Sequence, residues 1–212
     1  MPKNIELIDS LLSKAPVLPV LAVDSVPQAI ALVQALSEAG LIVVEITLRT
    51  AAAIPAIAAI RAQLPSVIVS AGTVLTEADL HAVQSAGAHF AISPGATDTL
   101  LRAAETVAMP FLPGVANASD IQRGLEFGYQ RFKLFPATAV GGVDALKAYA
   151  GPFASVKFCP TGGINASNAA SFLALSNVIT VGGSWMVDKA ALSVNDFAAI
   201  GRAAAACVGL RA

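Results

Sequence analysis

The sequence contains few charged residues and few cysteines. Charged residues make up 13% of the 212 residues, against roughly 25% in an average soluble domain. The formal net charge is -1, so no basic excess supports binding of nucleic acid. The two cysteines, Cys159 and Cys207, lack the spacing of a metal site, and nothing in the pattern requires a disulfide. These shortages exclude nucleic-acid-binding and disulfide-stapled classes of protein.

Long unbroken apolar runs are also missing, although 56% of the residues are hydrophobic. The longest stretch without a charge, residues 158–187, is interrupted by Pro160, by glycines and by asparagines. Because a spanning helix needs about 20 mostly apolar residues, we predict no membrane span. Strands covered on both faces, as in parallel α/β proteins, explain the composition instead.

The amino-terminal residues do not resemble a secretory signal. A short apolar segment follows Lys14, but Glu6 and Asp9 interrupt the basic region that a signal peptide would need. We therefore predict a cytoplasmic protein.

Apolar runs of strand length recur along the chain, and each is followed by a break and a helix-like stretch. They cover residues 17–22, 41–47, 67–71, 88–93, 110–115, 131–135, 155–159 and 178–181. Their mean spacing is roughly 23 residues, which is sufficient for a repeating strand–helix unit. Eight such units predict one α/β domain over residues 1–212, a (β/α)8 barrel, with an extra helix over residues 4–13 covering its base.

The residues between these runs agree with that frame. Asp24 or Ser25 can cap a helix whose first turn contains Pro27, and residues 76–79 fit a capping box. Glycines at the expected helix ends favour a left-handed conformation; they are Gly40, Gly87, Gly128 and Gly151. An open doubly wound sheet is the alternative, but no Gly-x-Gly-x-x-Gly follows the first strand.

In such barrels the active site lies at the carboxyl ends of the strands. His81 falls in a helix and His89 near the start of a strand, so neither supports a metal site. Three ionisable residues meet the positional requirement: Glu45, Arg49 and Lys133. We predict that the site contains no metal and no cofactor.

Glu45 lies in an apolar strand and Arg49 just beyond its end. Side chains alternate along a strand, so Val43, Glu45 and Thr47 share one face. A carboxylate there must face the barrel lumen, because the other face packs against helices. Arg49 is able to lean over the same mouth, although a surface loop position is the alternative.

Lys133 has Phe132, Leu134 and Phe135 as neighbours. Apolar surroundings make a charged ammonium costly and favour the neutral amine that attacks a ketone. Lys157 is a competitor, but it precedes Thr161 by four residues, about 13 Å of strand. That places Lys157 toward the barrel floor, so Lys133 is the better candidate.

Two glycine pairs follow the last two predicted strands. Gly162 and Gly163 come after strand seven, and Gly182 and Gly183 precede Ser184 after strand eight. Loops at these positions form the usual phosphate site of the barrel, because glycine lets backbone N–H groups approach an anion.

These residues resemble the 2-keto-3-deoxy-6-phosphogluconate (KDPG) aldolases, the KHG/KDPG aldolase family, along essentially the whole chain. The segments that carry the resemblance are residues 44–49, 70–73, 92–95, 111–115, 133–136 and 159–164. The resemblance implies a Schiff-base aldolase that cleaves 2-dehydro-3-deoxy-6-phosphogluconate, with 4-hydroxy-2-oxoglutarate as a second substrate. It also implies a homotrimer, which would cover apolar outer helices such as residues 51–60.

The resemblance further implies a role for each site residue. Lys133 would form the imine and Glu45 would move protons. The pyruvate carboxylate would bind Arg49 and Thr73, in a pocket shaped by Pro94 and Phe135. Substrate hydroxyls would meet Thr161, and the phosphate would bind Gly162, Gly163 and Ser184. Thr161 is more typical of the gluconate enzyme than of its galactonate relative.

Four other interpretations remain open at this stage. They are a galactonate-type aldolase, an epimerase or isomerase acting on a phosphorylated sugar, a metal-dependent aldolase of pyruvate, and a non-catalytic sugar-phosphate binding protein. The combination of Glu45, Arg49 and Lys133 argues against the last, since phosphate binding alone does not need it.

Overall fold

The computed structural model describes residues 5–211, in which strands and helices alternate. The strands are β1 (Val17–Leu21), β2 (Val43–Thr47), β3 (Ile68–Gly72), β4 (Phe90–Ile92), β5 (Phe111–Leu112), β6 (Gly114–Val115), β7 (Arg131–Leu134), β8 (Lys157–Pro160) and β9 (Val181–Gly183). The helices are α1 (Ile5–Leu12), α2 (Val26–Glu38), α3 (Ala53–Gln63), α4 (Glu77–Ser85), α5 (Asp98–Ala103), α6 (Ala118–Glu126), α7 (Gly142–Ala150), α8 (Ala169–Leu173), α9 (Lys189–Ser193) and α10 (Phe197–Val208). A short 3-10 helix, Gly209–Arg211, follows α10.

The strands form a closed parallel barrel, as predicted. Six of them pair in the order β5-β4-β3-β2-β1-β9, and three pair in the order β6-β7-β8. Single bridges from Phe158 to Val178 and from Thr161 to Gly182 join β8 to the β9 side. Since β5 and β6 follow one another along the chain, the two groups of strands together make one (β/α)8 barrel.

The predicted single strand at residues 110–115 is wrong in one respect, because it is split at Pro113. Phe111–Leu112 pairs with β4, whereas Gly114–Val115 pairs with β7. Proline has no N–H to donate to a ladder, so the chain changes partner there. The carbonyl of Pro113 still accepts a hydrogen bond from the Lys133 N–H, at 3.0 Å.

The predicted bounds of the last strand are also wrong. The strand covers Val181–Gly183 rather than residues 178–181, because its ladder with β1 begins at Val17 opposite Val181. Val178 makes only the isolated bridge. The remaining strands differ from prediction by one or two residues at their ends.

Helix ends mostly match the sequence pattern. Ser25 caps α2, and Thr76 and Asp79 form the capping box of α4. Positive φ angles occur, as predicted, at Gly40, Gly87 and Gly128. Gly151 is the exception, with φ -70°, because the chain continues there in a right-handed turn in which the Phe153 N–H bonds to the Tyr149 carbonyl.

Helix α1 covers the barrel floor. Its Ile8, Leu11 and Leu12 side chains are buried against apolar residues of the lumen. Asp9 accepts two hydrogen bonds from Arg131 of β7, at 2.6 and 2.7 Å. This matches the predicted extra helix over residues 4–13, although Asn4 lies outside the described residues, as do residues 1–3 and 212 of the predicted domain.

Side chains from the strands fill the lower lumen, so the barrel is a packed core with one open end. The lumen cluster consists of Leu18, Val43, Phe90, Ile92, Leu112, Cys159 and Ile179, together with the three apolar residues of α1. A larger cluster fills the space between the strands and the outer helices. Across residues 5–211, no helix combines the length and apolar character that crossing a membrane requires.

Candidate active site

Lys133 and Glu45 meet inside the barrel, near its open mouth. Lys133 Nζ lies 2.8 Å from Glu45 Oε1 and 3.1 Å from Oε2. The two residues come from β7 and β2 and are only 5% and 1% exposed. Both therefore point into the lumen, and each is the other's charged partner.

The neighbouring strands create the space for this contact. Val44 and Ile46 flank Glu45 and are buried in the layer between strands and helices, which turns the carboxylate inward by strand alternation. Glu45 pairs in register with Val20 on one side and Ser70 on the other. A Cβ at Gly72 would overlap the Glu45 carboxylate. Gly72 is thus a site residue that the sequence analysis missed, because only the folded structure shows what its missing side chain leaves room for.

Electrostatics favours the pairing of Lys133 with Glu45. A buried charge without a partner is costly, whereas a hydrogen-bonded pair of opposite charges compensates part of that cost. A proton donated along the Nζ–Oε1 contact leaves a neutral amine beside a neutral carboxylic acid. The ring centroid of Phe135 lies 5.6 Å from Nζ, so an aromatic face borders the amine on the mouth side.

Cys159 is a second residue that sequence analysis did not connect with the site. It is paired in register with Lys133 and is 1% exposed. Burial raises the pKa of its thiol to about 12, and the nearby Lys133 charge opposes that shift only in part. Its Sγ lies 4.0 Å from Thr161 Oγ1. A neutral thiol therefore lines the lumen beside the amine, and strand alternation from Thr161 would have placed it there.

Arg49, Thr73 and Pro94 lie on the rim. Arg49 is exposed in the turn after β2, and the adjacent Leu48 N–H bonds to the Gly72 carbonyl at 2.9 Å. This bond brings the Arg49 turn next to Thr73. Thr73 is half-buried, with φ 59°, a conformation that is strained for a β-branched residue and clusters at functional sites. Pro94 is half-buried, two residues beyond the end of β4.

The two predicted phosphate loops are adjacent. Thr161 is 4% exposed and pairs with Gly182, while Ser184 is exposed directly after β9. Gly162 and Gly163 have φ angles of 101° and 77°, which only glycine adopts easily. The helix after this loop, α8, begins at Ala169 and has only five residues. The dipole of such a short helix is small, so the backbone N–H groups of the loop would contribute more to anion binding than the helix.

The competing ionisable residues lie elsewhere. Lys157 is exposed at the amino end of β8, on the barrel floor. His89 contacts Arg61 at 2.8 Å, and burial, followed by the Arg61 charge, lowers the pKa of His89. His81 is exposed on α4, beside Glu77. Within the described part of the chain, no group of three or more His, Cys, Asp or Glu residues is arranged to hold a metal ion.

Known proteins have similar sequences and the same architecture. The family model for "KDPG and KHG aldolase" matches residues 8–203. The KHG/KDPG aldolase of Escherichia coli K12 is 47% identical over 189 residues, which is 89% of each chain. The 2-dehydro-3-deoxy-phosphogluconate aldolase of Pseudomonas aeruginosa is 46% identical over 195 residues, 92% of this chain and 89% of that one.

A solved structure agrees with these sequence matches. KDPG aldolase from Legionella pneumophila, with pyruvate captured at low pH as a covalent carbinolamine intermediate, superposes with a TM-score of 0.92 at 43% identity. The match covers 95% of this chain and 98% of that one.

Proposed function

This chain belongs to the KDPG and KHG aldolase family, and on that premise we propose that it cleaves 2-dehydro-3-deoxy-6-phosphogluconate through an imine on Lys133. The products are pyruvate and glyceraldehyde 3-phosphate. The observation that carries the proposal is the buried contact of 2.8 Å between the Lys133 amine and the Glu45 carboxylate. The relatives' names support the substrate, and 4-hydroxy-2-oxoglutarate is the second substrate in the proposal.

The first half of the reaction forms the imine. Lys133 gives a proton to Glu45, and the neutral Nζ attacks the C2 carbonyl carbon. The new C2 oxygen takes up a proton as the nitrogen loses one, which yields the carbinolamine. Glu45 then protonates the C2 hydroxyl, water leaves, and the nitrogen lone pair completes the C=N bond. The carbinolamine of the Legionella enzyme with pyruvate is an intermediate of this kind.

The second half breaks the carbon–carbon bond. The Glu45 carboxylate removes the proton of the C4 hydroxyl, the C3–C4 bond breaks, and its electrons flow into the protonated imine to give an enamine. Glyceraldehyde 3-phosphate departs at this step. Glu45 returns the proton to C3, and addition of water to the resulting imine releases pyruvate. The imine is the electron sink, so no step of the proposal needs a metal or a cofactor.

The rim residues position the substrate in this proposal. Arg49 binds the pyruvate carboxylate with its two-pronged guanidinium, and Thr73 donates to the same group. Pro94 and Phe135 enclose the three-carbon end, and Thr161 contacts the substrate hydroxyls. The proximity of the loops after β8 and β9 supports phosphate binding by Gly162, Gly163 and Ser184.

Reductive trapping tests the proposal. Incubation with pyruvate and borohydride should add one reduced pyruvate to the intact mass, and peptide mapping should locate it on Lys133. We expect K133A to gain no adduct and to lose turnover, because no other amine replaces Nζ. Lys157→Ala is the matched control, since it removes an exposed lysine from the floor, and it should retain both. An adduct on another lysine, or an equal loss in both variants, would contradict the assignment.

We also propose a homotrimer in the cytoplasm, built from a single domain. Exposed apolar residues support subunit contacts; Leu75 is 57% exposed and Val194 is 74% exposed. Light scattering of the purified protein tests the oligomeric state, and a monomer mass would contradict it.

A further inference from the structure

The loop after β8 is held by two hydrogen-bonded ties on consecutive carbonyl groups. The carbonyl of Gly162 accepts from the Thr138 N–H at 3.1 Å and from the Thr138 hydroxyl at 3.2 Å. The next carbonyl, that of Gly163, accepts from the Asn168 side-chain amide at 3.1 Å. The two side chains come from different elements, Thr138 from the segment after β7 and Asn168 from the start of α8.

Each tie also fixes the direction of an N–H group. In a planar trans peptide, the C=O and N–H bonds point in opposite directions. Holding the Gly162 carbonyl against Thr138 therefore turns the Gly163 N–H away from Thr138. Holding the Gly163 carbonyl against Asn168 likewise turns the Ile164 N–H away from the Asn168 side chain. Among residues 5–211 neither N–H donates a backbone hydrogen bond.

The loop needs such ties because glycine does not hold its own conformation. Gly162 and Gly163 are free to rotate into many backbone states, so the observed left-handed φ angles must be imposed by their surroundings. A Cβ at Gly163 would overlap the Thr138 side chain. The glycine and the threonine are therefore fitted to each other.

We propose that Thr138 and Asn168 are positioning residues that hold the Gly163 and Ile164 N–H groups ready for the substrate phosphate, and so set the preference for phosphorylated substrates. The inference rests on the proposed function of this site. Neither residue touches substrate in the proposal; each acts through the loop.

Thr138 also connects the part of the site that holds the reacting amine with the part proposed to bind phosphate. It lies five residues after Lys133, and the intervening Ala137 N–H bonds to the Thr161 carbonyl at 2.7 Å. The chain that carries the reacting amine thus continues directly into the segment that holds the loop. This link fixes the distance between the imine and the phosphate.

Kinetics on a matched pair of substrates test the proposal. Thr138→Val removes the hydroxyl and keeps the branched shape. We expect the ratio of KM for 2-dehydro-3-deoxy-6-phosphogluconate to KM for 4-hydroxy-2-oxoglutarate to rise about three- to tenfold, as the loss of one hydrogen bond would give. Thr138→Ser should restore the ratio, because it keeps the hydroxyl.

Inorganic phosphate provides a second readout, as an inhibitor of 4-hydroxy-2-oxoglutarate cleavage. Its inhibition constant should rise in T138V and in N168A, and also in Ser184→Ala, which removes a proposed direct ligand. Thr106→Val is the control, since the Thr106 hydroxyl likewise donates to a backbone carbonyl, at 2.8 Å, but lies after α5 at the floor end. Thr106→Val should change neither the ratio of KM values nor the inhibition constant of phosphate.

Two outcomes would overturn the proposal. One is a ratio within twofold of the original in both T138V and N168A, with both variants folded by circular dichroism. The other is a ratio in T138S no closer to the original than that in T138V. Failure of the proposed function is a different result, because then the unmodified protein would trap no pyruvate with borohydride.

Discussion

Strand β7 carries two cations on one face, two residues apart, and each is paired with a carboxylate. At the floor, Arg131 holds Asp9 of α1 through two short hydrogen bonds and also bonds to the carbonyls of Gln130 and Ser155. At the mouth, Lys133 contacts Glu45. The guanidinium does not lose its proton in proteins, so the floor pair is suited to holding the helix. An amine is able to give up its proton, so the mouth pair is suited to chemistry.

The difference also lies in the surroundings. Arg131 and Asp9 side chains are 11% and 33% exposed, whereas Lys133 and Glu45 side chains are 6% and 1% exposed. Water stabilises the ions of the floor pair, while the mouth pair relies on each partner for compensation. The two ion pairs have similar hydrogen-bond lengths but different expected roles, structural at the floor and catalytic at the mouth. Substitutions in each pair should distinguish these roles.

Glu45→Gln is the substitution with the largest expected effect. The amide keeps the size of the side chain but cannot accept and return a proton, so kcat should fall by about 10²- to 10⁴-fold. Asp9→Asn, the same change at the floor, should leave kcat unaltered. Steady-state rates of pyruvate release measure both, and a comparable fall in the two variants would remove the distinction.

Asp9→Asn should instead lower the free energy of unfolding. The change leaves Arg131 without its anion and loosens α1 over the apolar floor, at a cost of about 1–3 kcal/mol. Urea denaturation at one fixed protein concentration measures the loss. The control is Ser10→Ala on the same helix, whose exposed hydroxyl donates to the Leu7 carbonyl. A loss of unfolding free energy as large as that of Asp9→Asn would argue against the floor pair.

The smallest expected effect concerns the thiol beside the amine. Because burial raises the pKa of Cys159 to about 12, the thiol is protonated at any pH well below that value, and the thiolate needed for alkylation is scarce. Iodoacetamide at pH 8 should leave Cys159 unmodified in the folded protein and modify it after unfolding in urea. Rapid labelling of the native protein at this residue would show that the lumen admits reagents from solution.

Much of the fold followed from local pattern. Most strand positions, the left-handed glycines Gly40, Gly87 and Gly128, and the cap of α2 depend on residues close in sequence, and they matched. The break at Pro113 and the late start of β9 did not, because the register between distant strands decides them. Apolar runs show which residues can form a strand, but not which of them find a partner.

The site divides in the same way. Strand position predicted that Glu45 and Lys133 face the lumen, and the structure brings them within 2.8 Å of each other. The role of Arg49 stays a prediction. The contact of Gly72 with Glu45 and the proposed role of Thr138 were not predicted, because both depend on close approaches between segments far apart in sequence. Cys159 was assigned to a strand end, and only pairing with β7 brings it beside the amine.

The apolar plug beneath the amine has a kinetic consequence. Since the lumen below Lys133 is filled by side chains such as Val43, Phe90 and Leu112, reactant and both products pass through the mouth of the barrel. In the proposed chemistry the three-carbon acid stays tethered at the bottom while the aldehyde sits nearer the exit. Departure is therefore sequential, with the aldehyde first and pyruvate last, and an excess of pyruvate should compete with fresh substrate for the same amine.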